Sequence, residues 1–244
     1  MRIILKKIED VNLSVPKFVC DEPISKKELP MPFELMNRSN CTLFLGPPSS
    51  GKTSLMVSII SQNNPRLFKK QYDKIILVCP PNSIGSLKKN IFQNLKGGVY
   101  SDLTSESIDQ IYDKVQANAD EKENTLLILD DMSASLKKNK YIQDRLSKML
   151  YNRRHLRLSV YICLQSFKTL PLNIRKCTDN AFVFKVAKKE IECLYDELFD
   201  IDKDVVRQIV GMVYTEKHNW LFLNVPSQQM FTNEFKELIL DDES

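Results

Sequence analysis

The sequence predicts an α/β fold, a three-layer sandwich with a mostly parallel central sheet. Three features predict it. Short apolar runs rich in β-branched residues recur along the chain and are continuous rather than alternating, as strands buried on both faces require. Stretches of helical period separate them. Several runs stop at glycine, proline or a carboxylate, which puts turn chemistry at the ends of strands.

In chain order, Thr42 to Leu45 reads as a buried strand ending at Gly46. Leu55, Met56, Ile59 and Ile60 then form one apolar helix face. Lys74 to Cys79 is a second strand, stopped by Pro80 and Pro81. Ile108, Ile111, Tyr112 and Val115 repeat at helical spacing. Thr125 to Leu129 is a third strand, ending at Asp130 and Asp131, and Ile142, Leu146, Met149 and Leu150 mark the helix after it. Ser159 to Leu164 and Ala181 to Val186 are two more strands. Helices over Glu190 to Leu198 and Val205 to Val213 precede a last strand, Trp220 to Val225. The expected organisation is a lead-in segment over residues 1–40 packed on the core, with Arg2 to Ile8 as an edge strand. The main domain follows over 41–226, then a C-terminal helix and acidic tail over 227–244, with Asp241 to Ser244 frayed.

Composition excludes several classes. Hydrophobic residues are 43% and charged residues 27% of the 244, enough for a packed core. No window approaches the roughly 20 apolar residues of a membrane span, and the N-terminus does not read as a signal peptide, so a cytoplasmic location is expected. The six cysteines (Cys20, Cys41, Cys79, Cys163, Cys177, Cys193) show no Cys-x-x-Cys spacing, and with only His155 and His218 a histidine metal site is not expected. Net charge is +4, but Lys137 to Arg157 holds eight Lys/Arg residues against one acid, Asp144. Such a stripe can follow a phosphate backbone or be a solvated helix face.

The strongest motif is Gly46-Pro47-Pro48-Ser49-Ser50-Gly51-Lys52-Thr53, followed by Ser54 and lying between a strand and a helix. Glycines at its ends let successive N–H groups turn toward phosphates, and the helix N-terminus adds its positive end. In this P-loop, Lys52 reaches the β- and γ-phosphates and the Thr53 hydroxyl ligates Mg²⁺, so ATP and Mg²⁺ are the expected cofactors. Asp130 closes an aliphatic strand where a second Mg²⁺ ligand is needed, and Asp131 is placed to orient or deprotonate water. Gln165 ends the Ser159–Leu164 strand; in P-loop ATPases with an inserted central strand, a polar residue there can sense the γ-phosphate or hold the water, and a polar residue at a strand end is also common turn punctuation. An arginine from a neighbouring subunit can neutralise charge on the transferred phosphoryl group, and Arg153, Arg154, Arg157 and Arg175 are candidates.

These residues resemble the FtsK–HerA superfamily, and more closely the DNA-packaging ATPases of large double-stranded DNA viruses of poxvirus and virophage type. The likeness covers about Leu43 to Val186. It is carried by the P-loop, by Leu129-Asp130-Asp131-Met132, and by Asn152-Arg153-Arg154-His155-Leu156-Arg157 leading into a strand that closes at Gln165-Ser166. Leu170 to Arg175 before an apolar strand also fits. The resemblance implies a ring-forming motor, pentamer or hexamer, that drives double-stranded viral DNA into a capsid. It implies contacts with capsid proteins and no membrane span. It places the trans-acting arginine at Arg154, with Arg175 as rival; the chain shows no separate nuclease domain, so the motor alone is expected. Alternatives are a nucleotide kinase and a non-viral FtsK/HerA-like translocase. The chain lacks an arginine-rich lid segment and an Asn-Lys-x-Asp sequence, which disfavours a kinase and a GTP switch.

Overall fold

The computed structural model describes residues 22–81, 95, 97–199 and 201–239. The expected edge strand over Arg2 to Ile8 and the tail from Asp241 lie outside them. Eight strands make one sheet: β1 (Cys41–Leu45), β2 (Lys74–Val78), β3 (Gly98–Tyr100), β4 (Thr125–Asp130), β5 (Leu158–Leu164), β6 (Asn180–Phe184), β7 (Trp220–Asn224) and β8 (Gln229–Thr232). Their order is β3-β2-β4-β5-β1-β6-β7-β8. Strands β1 to β6 pair in parallel, whereas β7 and β8 run antiparallel.

Among the described residues the α-helices are α1 (Lys52–Ser61), α2 (Ser105–Asp120), α3 (Ser133–Lys138), α4 (Lys140–Tyr151), α5 (Leu172–Arg175), α6 (Lys188–Leu198) and α7 (Lys203–Val213). Local chemistry starts two of them. The Thr104 hydroxyl accepts from Ser107 N–H at 3.1 Å while Ser107 Oγ accepts from Thr104 N–H at 2.8 Å, a reciprocal cap on α2. Asn139 Oδ1 accepts from Tyr141 N–H at 3.0 Å and caps α4.

The three layers follow from strand alternation. In β1, Cys41, Leu43 and Leu45 point to a largely aliphatic core with α2 to α7, while Phe44 points to the other. That second core is aromatic. Phe44, Tyr161, Phe182 and Phe222 meet α1 residues Met56, Ile59 and Ile60, and the lead-in residues Ile24, Leu29, Phe33 and Met36 seal it. Phe182 stacks on Phe44 at 5.0 Å between centroids and tilts onto Phe222 at 4.8 Å.

A buried polar chain crosses three strands near the amino edge of β1. The Thr42 hydroxyl donates to Asn40 Oδ1 at 2.7 Å and accepts from Asn180 Nδ2 at 3.3 Å; Asn180 Oδ1 accepts from Asn224 Nδ2 at 2.7 Å. Thr42 lies beside Asn180, and Asn180 beside Asn224, in the strand register.

The structure differs from the sequence reading in three places. The segment after residue 226 is not a helix where it is described. Gln229–Thr232 forms β8, so the sheet runs past the expected domain end. A tight turn decides this. Ser227 N–H and Oγ both donate to Asn224 Oδ1, and Gln228 takes a left-handed φ of 55°, reversing the chain onto β7. Gly98–Tyr100 is also a strand, β3, too short for its period to register in sequence. The expected strand over Ala181 to Val186 stops at Phe184.

Candidate active site

The P-loop leaves the carboxyl end of β1 and enters α1. Gly46 N–H donates to the Leu164 carbonyl at 3.1 Å, tying the loop to the end of β5. A side chain at Gly46 would force its neighbours to shift, because a Cβ there would stand 2.6 Å from Ser50 Oγ and 2.8 Å from Phe184 Cβ. Gly51 has φ 107°, open to glycine alone, and it turns the chain into α1. Unlike α2 and α4, α1 has no side-chain cap, so its first N–H groups are left for an anion. Pro47, Pro48 and Ser49 are exposed on the loop, Ser49 with φ 59°, and Ser54 is exposed on the first turn of α1. Lys52 Nζ donates to the carbonyls of Gly46 at 2.7 Å and Pro47 at 2.8 Å, which holds the ammonium against the loop.

The acids arrive from the neighbouring strands. Strand β5 lies between β1 and β4, as the inserted-strand reading expects, and Asp130 at the end of β4 is in register with Cys163 of β5. Burial pushes the Asp130 carboxyl above its ordinary range; a bond from the Cys163 thiol and the charge of Lys52 oppose the shift, while Asp131 adds to it. Burial likewise lowers Lys52 from the usual amine value, with Asp130 and Asp131 opposing. Asp131 takes φ 57°, a left-handed conformation that aspartate tolerates better than most side chains, and is exposed. Its Oδ1 accepts from Gln165 Nε2 at 3.1 Å, so the two polar strand ends form one unit.

Magnesium fits this donor set. Thr53 and Asp130 supply hard oxygens, and Mg²⁺ takes one or two carboxylates together with phosphate oxygens and water. Among the described residues no cluster of three His, Cys, Asp or Glu side chains offers an all-protein metal cage.

The arginines are elsewhere. Arg153 and Arg154 lie in the turn before β5, at the amino edge of the sheet, whereas the P-loop is at the carboxyl edge. The length of β5, roughly 20 Å at ~3.3 Å per residue, keeps Arg154 from its own subunit's P-loop. Arg153 is held by Asp179 at 2.6 Å and Arg157 by Glu22 at 2.8 Å. Arg175 pairs with Glu197 at 2.6 Å and lies over the Phe167 ring. Arg154 is exposed. The basic stripe also divides. Arg145 pairs with Asp109 at 2.8 Å and covers the Tyr112 ring, and Lys140 pairs with Asp144 at 2.8 Å. Lys137, Lys138 and Lys140 are exposed at the junction of α3 and α4, directly after the acids.

Sequence reasoning missed three residues around the loop. Cys163 backs Asp130, its Sγ 3.8 Å from Met56 Sδ. Phe184 lies against Gly46 and Gly51, and His218 Nδ1 stands 2.8 Å from the Ser50 carbonyl. Nothing in the sequence links positions 50 and 218.

Comparison with known proteins gives the family and the fold. The model of the poxvirus A32 protein family matches residues 33–241. No curated protein sequence matches the chain. Among solved structures, the genome packaging NTPase B204 from Sulfolobus turreted icosahedral virus 2, in complex with sulfate, superposes with TM-score 0.61 at 15% identity, covering 82% of this chain and 98% of that one. The same protein with ATP-gammaS gives 0.59 at 16% identity, with the same coverage. B204 described as the DNA-packaging ATPase of Sulfolobus turreted icosahedral virus gives 0.60 at 15%, covering 82% and 98%. At that identity the likeness establishes the fold, a P-loop NTPase.

Proposed function

Because the chain belongs to the poxvirus A32 protein family, we propose that it is the ATP-hydrolysing motor that packages viral double-stranded DNA into capsids. The observation that carries this reading is the convergence at one sheet edge of an anion-binding loop from β1 and the polar ends Asp130, Asp131 and Gln165 from β4 and β5. The chemistry is water attack on the γ-phosphate. Gly46 to Thr53 bind the triphosphate, and Lys52 leaves the Gly46 and Pro47 carbonyls for the β- and γ-phosphates. Thr53 and Asp130 would hold Mg²⁺, which would neutralise phosphate charge when bound. Asp131, oriented by Gln165, accepts the proton of the attacking water.

Arg154 acts in trans. Its place on the edge opposite the P-loop suits subunits arranged head to tail in a ring, where one subunit's amino edge faces the next subunit's nucleotide. Lys137, Lys138 and Lys140 contact the DNA backbone. They sit on the segment that leaves the acids, so a change at the phosphates moves them first. Capsid proteins dock the ring, and the site of action is the host cytoplasm or a viral factory.

The test is phosphate release with and without double-stranded DNA. Lys52→Ala abolishes release and Asp131→Asn lowers it by at least a hundredfold while ATP still binds. Charge reversal at Lys137, Lys138 and Lys140 removes DNA stimulation and leaves basal turnover. Turnover that survives Lys52→Ala would falsify the proposal, and DNA stimulation that survives charge reversal removes the lysines from it.

A further inference from the structure

The Ser50–Gly51 peptide joins the phosphate loop to α1, and its two polar groups are treated differently. A carbonyl oxygen can only accept, so His218 Nδ1 carries a proton and donates to the Ser50 carbonyl at 2.8 Å. Among the described residues, Gly51 N–H meets no acceptor. In a trans peptide the carbonyl and the following N–H point opposite ways. His218 comes from the β6 and β7 flank of β1, whereas Asp130 and Asp131 stand on the β5 and β4 flank. Drawing the carbonyl to His218 therefore turns Gly51 N–H away from that flank, to the side where the acids stand.

The loop does not fix this peptide by itself. Residue 51 is a glycine at φ 107°, and glycine crosses between left- and right-handed conformations at little cost. The peptide could turn over and present a carbonyl oxygen to an anion, which repels it. Ser50 Oγ is buried and has no hydrogen-bond partner among the described residues, so the loop's own side chain does not prevent this.

The turn that carries His218 is built to hold it in place. His218 takes a left-handed φ of 74°, a strained conformation that persists where the surroundings over-determine it. Those surroundings are visible. Asn219 Nδ2 donates to the Val213 carbonyl at 3.0 Å, which pins the turn to the end of α7. The Tyr214 hydroxyl donates to the Val183 carbonyl at 2.9 Å, which pins it to β6. The ring lies against Gly51, where a Cβ would stand 3.7 Å from Nδ1.

We propose that His218 is a positioning residue for the phosphate site: its Nδ1–H fixes the Ser50–Gly51 peptide so that Gly51 N–H is presented to the bound phosphates. The inference rests on the phosphate-binding role of the P-loop and deepens it with a residue outside the motif. Because the effect is on phosphates, a nucleotide and a bare polyphosphate feel it alike.

Calorimetry on the full chain with Mg-ATP and Mg-tripolyphosphate tests it. His218→Gly suits the left-handed backbone and removes the donor. His218→Asn also suits that backbone and offers an amide nitrogen in place of Nδ1. His218→Gly weakens both ligands by the same factor, about fivefold or more, the net worth of one hydrogen bond. His218→Asn restores both. Unchanged affinity in His218→Gly overturns the inference, because the peptide then needs no holder. A loss that His218→Asn does not restore overturns it too, because ring packing rather than the donor then matters. So does a loss confined to ATP, which puts His218 on the nucleoside. Lys52→Ala separates these outcomes from the reading beneath them. If both ligands stay bound in Lys52→Ala, or the wild type binds neither, the phosphate role of the loop fails and His218 with it. If Lys52→Ala abolishes binding and His218→Gly does not weaken it, His218 alone is removed.

Discussion

At Asp130, burial and function pull in opposite directions. The carboxyl is raised because its charged form is poorly solvated at the end of a buried strand. A carboxyl raised in the folded state favours folding below its unfolded value, and that contribution is lost as pH rises through the folded value. At neutral pH the ionised group therefore costs stability, and the Mg²⁺ binding proposed for Asp130 would use that same ionised form. Asp130→Asn should raise the melting temperature of the nucleotide-free protein at pH 7, with the gain shrinking on acidification. It should also abolish Mg²⁺-dependent ATP binding. In the wild type, that binding should fall on acidification at a pH above the ordinary carboxylate range. Thermal melts and titrations across pH check both. Melting that is lower in the variant at pH 7 would mean that the charge is compensated within the fold.

Among the elements, the junction of β1, β6 and β7 joins a parallel pairing to an antiparallel one. The chain Asn40–Thr42–Asn180–Asn224 specifies that junction, since sliding a strand by one residue would separate buried polar groups from their partners. Asn180 is fully buried and serves both neighbours. Asn180→Ala leaves Thr42 and Asn224 each short of a partner, which costs roughly 2–6 kcal/mol at ~1–3 kcal/mol per unmatched buried group. Urea unfolding should show a lower midpoint at an unchanged slope. A loss below about 0.5 kcal/mol would mean that the chain does not hold the junction.

For the whole molecule, if Arg154 acts in trans as proposed, a subunit with that arginine at one edge and its nucleotide loop at the other cannot complete its own site. The expected signature is complementation. Lys52→Ala and Arg154→Ala are each inactive alone, because one lacks the cradle and the other the charge that reaches its neighbour. Mixed, they place an intact loop beside an intact arginine at some interfaces, and phosphate release should return to a fraction of wild type that depends on the mixing ratio. Silent mixtures at every ratio, under conditions where the wild type assembles, would remove Arg154 from the role.

The sequence by itself determined the local elements of this chain: the aliphatic strands, the amphipathic helices, the glycine-bounded loop and the acids after β4. Each is written in neighbouring residues through period, backbone freedom or turn chemistry, and so is legible without a fold. Placing Gln165 between loop and acids needed an expected strand order, which the sheet bears out. Tertiary structure alone decided that His218 and Phe184 buttress the P-loop, that Cys163 backs Asp130, and that residues 229–232 form a strand. It also decided that Arg153, Arg157 and Arg175 are held by Asp179, Glu22 and Glu197. The physical reason is range. A hydrogen bond between positions 50 and 218 leaves no mark on the residues beside either one, and a four-residue strand is specified less by its own composition than by the strand it lies against.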